Sequence, residues 1–241
     1  MRSPSVFSLI RSDYRRCIAL GGRPLKTIFF CQGFWALFVY RISHCLYYRT
    51  PFPPLRKLVR FFCQVARKGM EIITGISLPP DCRVGEGFYI GHFGTVIISS
   101  MAVIGKNCNL SQGVTLGVSG RGDRRGAPTI GDRVYIAANA VVAGKISIGD
   151  DAIIGACTVV TTSVPPRAVV TGNPGQIRSY RGSFDHILYD GMEEDPGRQA
   201  SHALSRGQTV PDSPTEETSD QTEAADCEFE AALQNYQPSP P

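Results

Sequence analysis

Four histidines occur in the 241 residues, at positions 44, 92, 186 and 202, and only His92 falls inside a stretch of regular repeats. It stands in Tyr89-Ile90-Gly91-His92-Phe93-Gly94, two places after an aliphatic residue that the repeat turns inward. Alternation then puts its imidazole on a surface or in a cleft. A free imidazole titrates at about 6.5, so its neutral form can take a proton from a hydroxyl at neutral pH. A lone surface histidine says little by itself, and the weight of His92 comes from its setting. The eight cysteines (Cys17, Cys31, Cys45, Cys63, Cys82, Cys108, Cys157 and Cys227) lie far apart, with no Cys-x-x-Cys pair. That spacing offers no zinc site and reads as reduced, mostly structural thiols of a cytoplasmic protein. Only Cys45 has a histidine beside it in sequence, His44, outside the repeats that hold His92, so no covalent acyl-enzyme and no metal are expected.

The elements that must position His92 come from a period of six. Aliphatic residues recur without a slip at Ile130, Ile136, Val142, Ile148, Ile154 and Val160, after earlier series Val84-Ile90-Val96 and Ile104-Leu110-Leu116. Small residues follow directly at Gly85, Gly91, Gly105, Gly117, Gly131, Ala137, Ala143, Gly149 and Gly155. A helix cannot hold six in register, whereas short strands joined by tight corners can. Three strands per turn make a triangular prism filled by aliphatic side chains, of about four turns, each strand stacking on the one below. Two extra residues between Val96 and Ile104 break the period, and a larger excursion, GVSGRGDRRGAPT, leaves it after Leu116. A Gly- and Arg-rich loop on a rigid prism reads as a functional arm.

The flanks differ from the middle. Residues 1–74 read as a helical N-terminal domain of three or so helices, ending with a long one from Leu55 to Ile73; residues 75–182 carry the repeats, with the protruding loop at 117–129. From residue 183 to 241 the chain is acidic and poor in large apolar groups, and a disordered tail is expected. The formal charge of +4 hides a split: residues 1–184 carry 23 Lys+Arg against 8 Asp+Glu, and residues 185–241 carry 2 against 13. The basic, aromatic N-terminal part suits core packing first, and peripheral contact with the inner membrane face second. Its longest uncharged run, residues 27–40, is too short to span a bilayer. Nothing in the chain suggests nucleic-acid binding.

Four stretches carry a resemblance to a known group: QGFWALFVYRISH (32–44), GEGFYIGHFGTVI (85–97), IGKNCNLSQGVTLG (104–117) and VPPRAVVTGNPGQI (164–177). Through them the chain resembles the hexapeptide-repeat acyltransferases, and within these the serine O-acetyltransferase family and its relatives that acetylate bacterial polysaccharides. The resemblance implies a mainly β fold, a left-handed parallel β-helix, assembled as a homotrimer or a dimer of trimers. It implies that His92 is the general base, that acetyl-CoA is the co-substrate, and that Gly117, Ala138 and Ala156 contact the cofactor by their backbone. Arg178 and Arg181, past the last turn, are placed to meet its phosphates. The trimeric β-helix carbonic anhydrases share the repeat but bind zinc through three histidines, which these repeats do not contain.

Three departures from the serine acetyltransferases bear on the acceptor. The acid that the family places fifteen residues before the catalytic histidine is here Ser77, leaving Asp81 as another candidate to support His92. The Arg-His-Pro run of the loop is replaced by Asp123-Arg124-Arg125-Gly126-Ala127-Pro128. The serine-binding Asp ahead of the helical match has no counterpart in Ile18-Ala19-Leu20-Gly21-Gly22. A substrate ammonium group needs a carboxylate, so the gain of Arg124 and Arg125 and the loss of that acid favour a sugar or polysaccharide precursor. A serine O-acetyltransferase of cysteine synthesis is the alternative, and a non-catalytic trimeric scaffold stands third. The terminal Ser239-Pro240-Pro241 lacks the Ile that sulfhydrylase-binding members insert, so no such complex is expected.

Overall fold

The computed structural model of the chain describes residues 4–50 and 52–205. Four helices come first: α1 (Val6–Ala19), α2 (Pro24–Phe30), α3 (Gln32–Arg49) and α4 (Pro53–Thr74). The Ser5 hydroxyl caps α1 by accepting the Ser8 N–H at 3.2 Å. Pro24 and Pro53 open α2 and α4, at a position where a missing N–H costs no hydrogen bond. Gly75 ends α4 in the left-handed region, φ +70°, with its N–H on the Glu71 carbonyl at 2.9 Å.

Three parallel sheets follow, and the chain visits them in turn. Sheet 1 is β1 (Ile76–Ser77), β4 (Val96–Ile98), β7 (Thr115–Gly117), β10 (Val141–Ala143) and β13 (Val159–Val160). Sheet 2 is β2 (Arg83–Val84), β5 (Val103–Ile104), β8 (Thr129–Ile130) and β11 (Ser147–Ile148). Sheet 3 is β3 (Tyr89–Ile90), β6 (Asn109–Leu110), β9 (Tyr135–Ile136), β12 (Ile153–Ile154) and β14 (Val169–Thr171), closed by the antiparallel β15 (Gln176–Ser179). The hexad positions fill the prism: Ile90, Val96, Ile104, Leu110, Leu116, Ile130, Ile136, Val142, Ile148, Ile154 and Val160 are all buried, as are Val114, Val134, Ala140 and Ala152 two places earlier. The extra residues after Val96 form a turn at 100–101, and the 117–129 excursion is a closed loop whose Ser119 and Gly126 exchange backbone hydrogen bonds at 3.1 Å.

A buried ion pair seats the helices on the prism. Arg41 of α3 donates to both Asp13 oxygens, at 2.8 and 3.0 Å, and to the Val84 and Gly85 carbonyls, while Asp13 also accepts the Phe88 N–H at 3.0 Å. Burial pushes the Asp13 carboxyl up, and these donors oppose that push. Glycine permits the close fit: a Cβ at Gly33 of α3 would run into the Ile90 carbonyl.

The expected disorder from residue 183 needs correcting for residues 183–205: residues 183–187 pack on sheet 3, and α5 folds back on them. Phe184 and Ile187 are buried, and the His186 ring stacks on Tyr135 with centroids 5.1 Å apart. Asp195 caps α5 (Pro196–Ser205), accepting the Gly197 and Arg198 N–H groups at 2.9 and 3.2 Å. The averaged acidity of the segment masked three anchors, Phe184, Ile187 and Tyr189, and an Asp-Pro helix start. Residues 206–241, with Cys227 and the terminal prolines, lie outside the described residues.

Candidate active site

The corners between sheets 3 and 1 stack into one edge. Gly94 lies against Gln112, the Asn139 N–H bonds the Gln112 carbonyl, and the Cys157 N–H bonds the Ala138 carbonyl, each at 2.9 Å. Asn139 and Cys157 take φ of +59° and +57°, the corner conformation that glycine supplies at Gly113. His92 is at the foot of this edge. Its segment is pinned to the end of α4: the Gly94 N–H bonds the Thr74 carbonyl at 3.0 Å and the Val96 N–H bonds the Gly75 carbonyl at 3.1 Å. The imidazole is exposed, and no hydrogen bond joins it to another described residue.

Ala138 and Ala156 stand on the same edge, above His92, with their backbones at the surface. Gly117 does not; it ends β7 at the far margin of sheet 1, beside Ala143. Ser77 is at the base of the outward row Ser77, Ile97, Thr115, Val141 and Val159 on sheet 1, near the His92 segment but not bonded to it. Asp81 lies past β1 at the sheet 1/sheet 2 corner, where it accepts the Tyr48 hydroxyl at 3.4 Å. The structure therefore puts no carboxylate from that segment beside His92.

Among the arginines, Arg178 donates to Thr171 Oγ1 at 3.2 Å, at the top of the His92 edge. Arg181 follows β15 back across sheet 3, next to Gly182, whose N–H bonds Arg167 at the opposite corner. Arg124 and Arg125 are exposed in the loop, which Lys145 steadies by donating to the Asp123 carbonyl at 3.1 Å. That loop leaves from the margin of sheet 1 opposite His92, so one chain does not bring the loop arginines to the imidazole.

A feature less visible in sequence is a cleft of about 570 Å³ lined by Gly21, Gly22, Arg23, Lys26, Tyr89 and Gly91, among others. Gly91, the chain neighbour of His92, is one of its lining residues, and the acid-free turn at residues 21–22 forms part of its wall. Arg23 and Lys26 give it positive charge, and no carboxylate lines it. The cleft suits a small anionic or neutral molecule. Among the described residues no cluster of His, Cys, Asp and Glu could hold a metal ion, and no helix is long and apolar enough to cross a membrane.

Residues 127–162 match the family of bacterial transferase hexapeptides (six repeats). The chain is 39% identical over 171 residues to the serine acetyltransferase of Mycobacterium tuberculosis, covering 69% of this chain and 71% of that one. It is 33% identical over 191 residues to the serine acetyltransferase of Synechococcus elongatus, covering 78% and 74%. The crystal structure of serine acetyltransferase from Neisseria gonorrhoeae superposes with a TM-score of 0.63 at 33% identity, over 72% of this chain and 66% of that chain. The Brucella abortus enzyme, solved in complex with coenzyme A, gives 0.61 at 28% identity, over 70% and 66%. These likenesses give the prism its hand, that of a left-handed β-helix.

Proposed function

The chain belongs to the serine acetyltransferase family of hexapeptide-repeat transferases, and from that premise we propose that it transfers the acetyl group of acetyl-CoA to the hydroxyl of L-serine. The observation that carries the reading is the family's fold and sequence extending over the prism, with His92 exposed at the foot of the edge on which Ala138 and Ala156 stand. The comparisons lend no support to the sugar acceptor expected from the missing acids, and they favour serine.

The chemistry follows from the placement. The His92 imidazole removes the acceptor's hydroxyl proton as its oxygen attacks the thioester carbonyl. The tetrahedral oxyanion is stabilised by hydrogen-bond donors at the edge. Collapse breaks the C–S bond, and the departing CoA thiolate takes the proton back from the imidazolium. Ala138 and Ala156 line the cofactor's path up the edge, Arg178 meets its phosphates, and Arg23 and Lys26 hold the serine carboxylate. His92 and the loop arginines lie at opposite margins of sheet 1, so a site using both is shared between neighbouring subunits of a homotrimer.

One observation favours a second reading. The cleft supplies no carboxylate for a substrate ammonium, which a hydroxyl of a glycan precursor would not require. Both readings meet the same experiment, CoA release from acetyl-CoA by the purified protein with L-serine, with serinamide, or with a panel of nucleotide sugars and oligosaccharides. Serine-dependent release that disappears in His92→Ala is expected. Release driven by a glycan and indifferent to serine would replace the serine reading, and no release with any hydroxyl would overturn both.

A further inference from the structure

The cleft beside Gly91 contains two thiols that acetyl transfer leaves unused. Cys17 comes from the last turn of α1 and is 5% exposed, and Cys31 is the half-buried residue that opens α3; both line the cleft. Local folding brings them together. The Gly22 N–H bonds the Cys17 carbonyl at 2.9 Å, and the Cys31 N–H bonds the Thr27 carbonyl at 3.4 Å, so the short α2 returns the chain to the side of α1. The two thiols face the same cleft and act on each other, which lowers the Cys31 thiol and raises that of Cys17. No side-chain bond closes at the α3 start, yet the Gly33 and Phe34 N–H groups face the Cys31 sulfur and add to its lowering, against the effect of burial. Other thiols contrast with it: burial pushes Cys82 and Cys108 up to about 12, with their S–H groups on the carbonyls of Pro79 and Gly131.

We propose that Cys17 and Cys31 are a thiol-modification site, closing a reversible disulfide in the wall of the cleft with a low-molecular-weight disulfide as oxidant. The Cys31 thiolate attacks one sulfur of the small disulfide, forming a mixed disulfide and releasing one small thiolate, which takes the Cys17 proton. The Cys17 thiolate then attacks the Cys31 sulfur, forming the protein disulfide and expelling the second small thiolate, which solvent protonates. Two protein thiols lose two electrons, and one small disulfide becomes two thiols. The new bond ties α1 to the start of α3 beside Tyr89 and Gly91. This chemistry does not depend on which acceptor the cleft takes.

The test uses the full reduced chain, oxidised glutathione at neutral pH, alkylation of the remaining thiols and digestion without reductant. Mass spectrometry should find the Cys17 and Cys31 peptides joined, short of two hydrogens, and separated again by dithiothreitol. Cys17→Ser should stop at a glutathione adduct on Cys31. Cys31→Ser, which keeps a good helix-capping residue, should leave Cys17 alkylatable. In the unoxidised protein Cys31 should alkylate at least about tenfold faster than Cys82. The proposal falls if Cys17 and Cys31 both remain free thiols after oxidation, or if their linkage joins separate chains.

Discussion

At the scale of single residues, the two weightiest side chains hold the protein in different ways. His92 is exposed and unbonded, so replacing it should leave the fold intact while removing proton transfer. His92→Ala is expected to lower CoA release by about 10²- to 10⁴-fold with an unchanged melting temperature. A variant that loses activity only in step with its melting point would count against a catalytic role. The Asp13–Arg41 pair is the converse case. Both side chains are almost wholly buried and every Asp13 oxygen is engaged, so Arg41→Met leaves a buried carboxylate without its guanidinium. Denaturant unfolding of that variant should show a loss of about 3–5 kcal/mol, and a loss under 1 kcal/mol would mean that water already reaches the pair. His92 stands out in the sequence because it is the only histidine inside the hexads. The Asp13–Arg41 pair was not legible there, because its partners are 28 residues apart and meet only when α1 and α3 lie on the first coil.

At the scale of elements, the docking of α3 and of residues 183–187 on sheet 3 sets the His92 segment and one margin of the prism. Gly33→Ala adds a methyl where the Ile90 carbonyl already sits, two residues before His92. The helix must shift, at a cost of about 1–3 kcal/mol, and CoA release should fall although no reacting group has changed. Equal stability and activity in Gly33→Ala would show that α3 does not set the His92 segment. On the other side, burial alone would raise the Asp195 carboxyl, but the Tyr189 hydroxyl, the Arg198 N–H, Arg133 and the Gly197 N–H outweigh it and hold the carboxyl below its ordinary value. An acid lowered in the folded state contributes stability above its unfolded pKa and loses it as pH falls through the folded one. Asp195→Asn should therefore melt lower than the native chain near neutrality, and the gap should close in acid; a constant gap would rule out the charge. The hexads made the prism legible, since a period of six admits few alternatives. Docking of residues 183–205 was not legible, because its few apolar anchors are diluted in an acidic stretch. The left-handed corners at Asn107, Arg133, Asn139, Asp151, Cys157 and Arg167 were missed as well, since they carry no common residue type.

At the scale of the molecule, the three faces of the prism are unequal. Sheet 3 is covered by α1, α3 and residues 183–189, with Arg16 bonded to Asn109 and His186 stacked on Tyr135. Sheet 2 turns Arg83, Val103, Thr129 and Ser147 outward, a largely polar row. Sheet 1 alone presents an uncovered apolar row, Ile97, Thr115, Val141 and Val159, beside the small pair Gly117 and Ala143. A face of that kind is where a symmetric assembly closes. Val141→Glu should reduce the particle from three copies of the 26.2 kDa chain to one in analytical ultracentrifugation and abolish CoA release, whereas Thr129→Glu on sheet 2 should do neither. The same geometry makes a sharper demand. His92 belongs to one margin of sheet 1 and Arg124 and Arg125 to the other, so the shared site proposed above requires the imidazole of one subunit to meet the loop of the next. His92→Ala and the double variant Arg124→Ala, Arg125→Ala should each be inactive alone. Random mixed trimers refolded from the two should regain about a quarter of native activity, since that share of junctions pairs an intact histidine with an intact loop. Mixed trimers as inactive as the parents would place both sets of residues in one subunit's site and remove the shared centre.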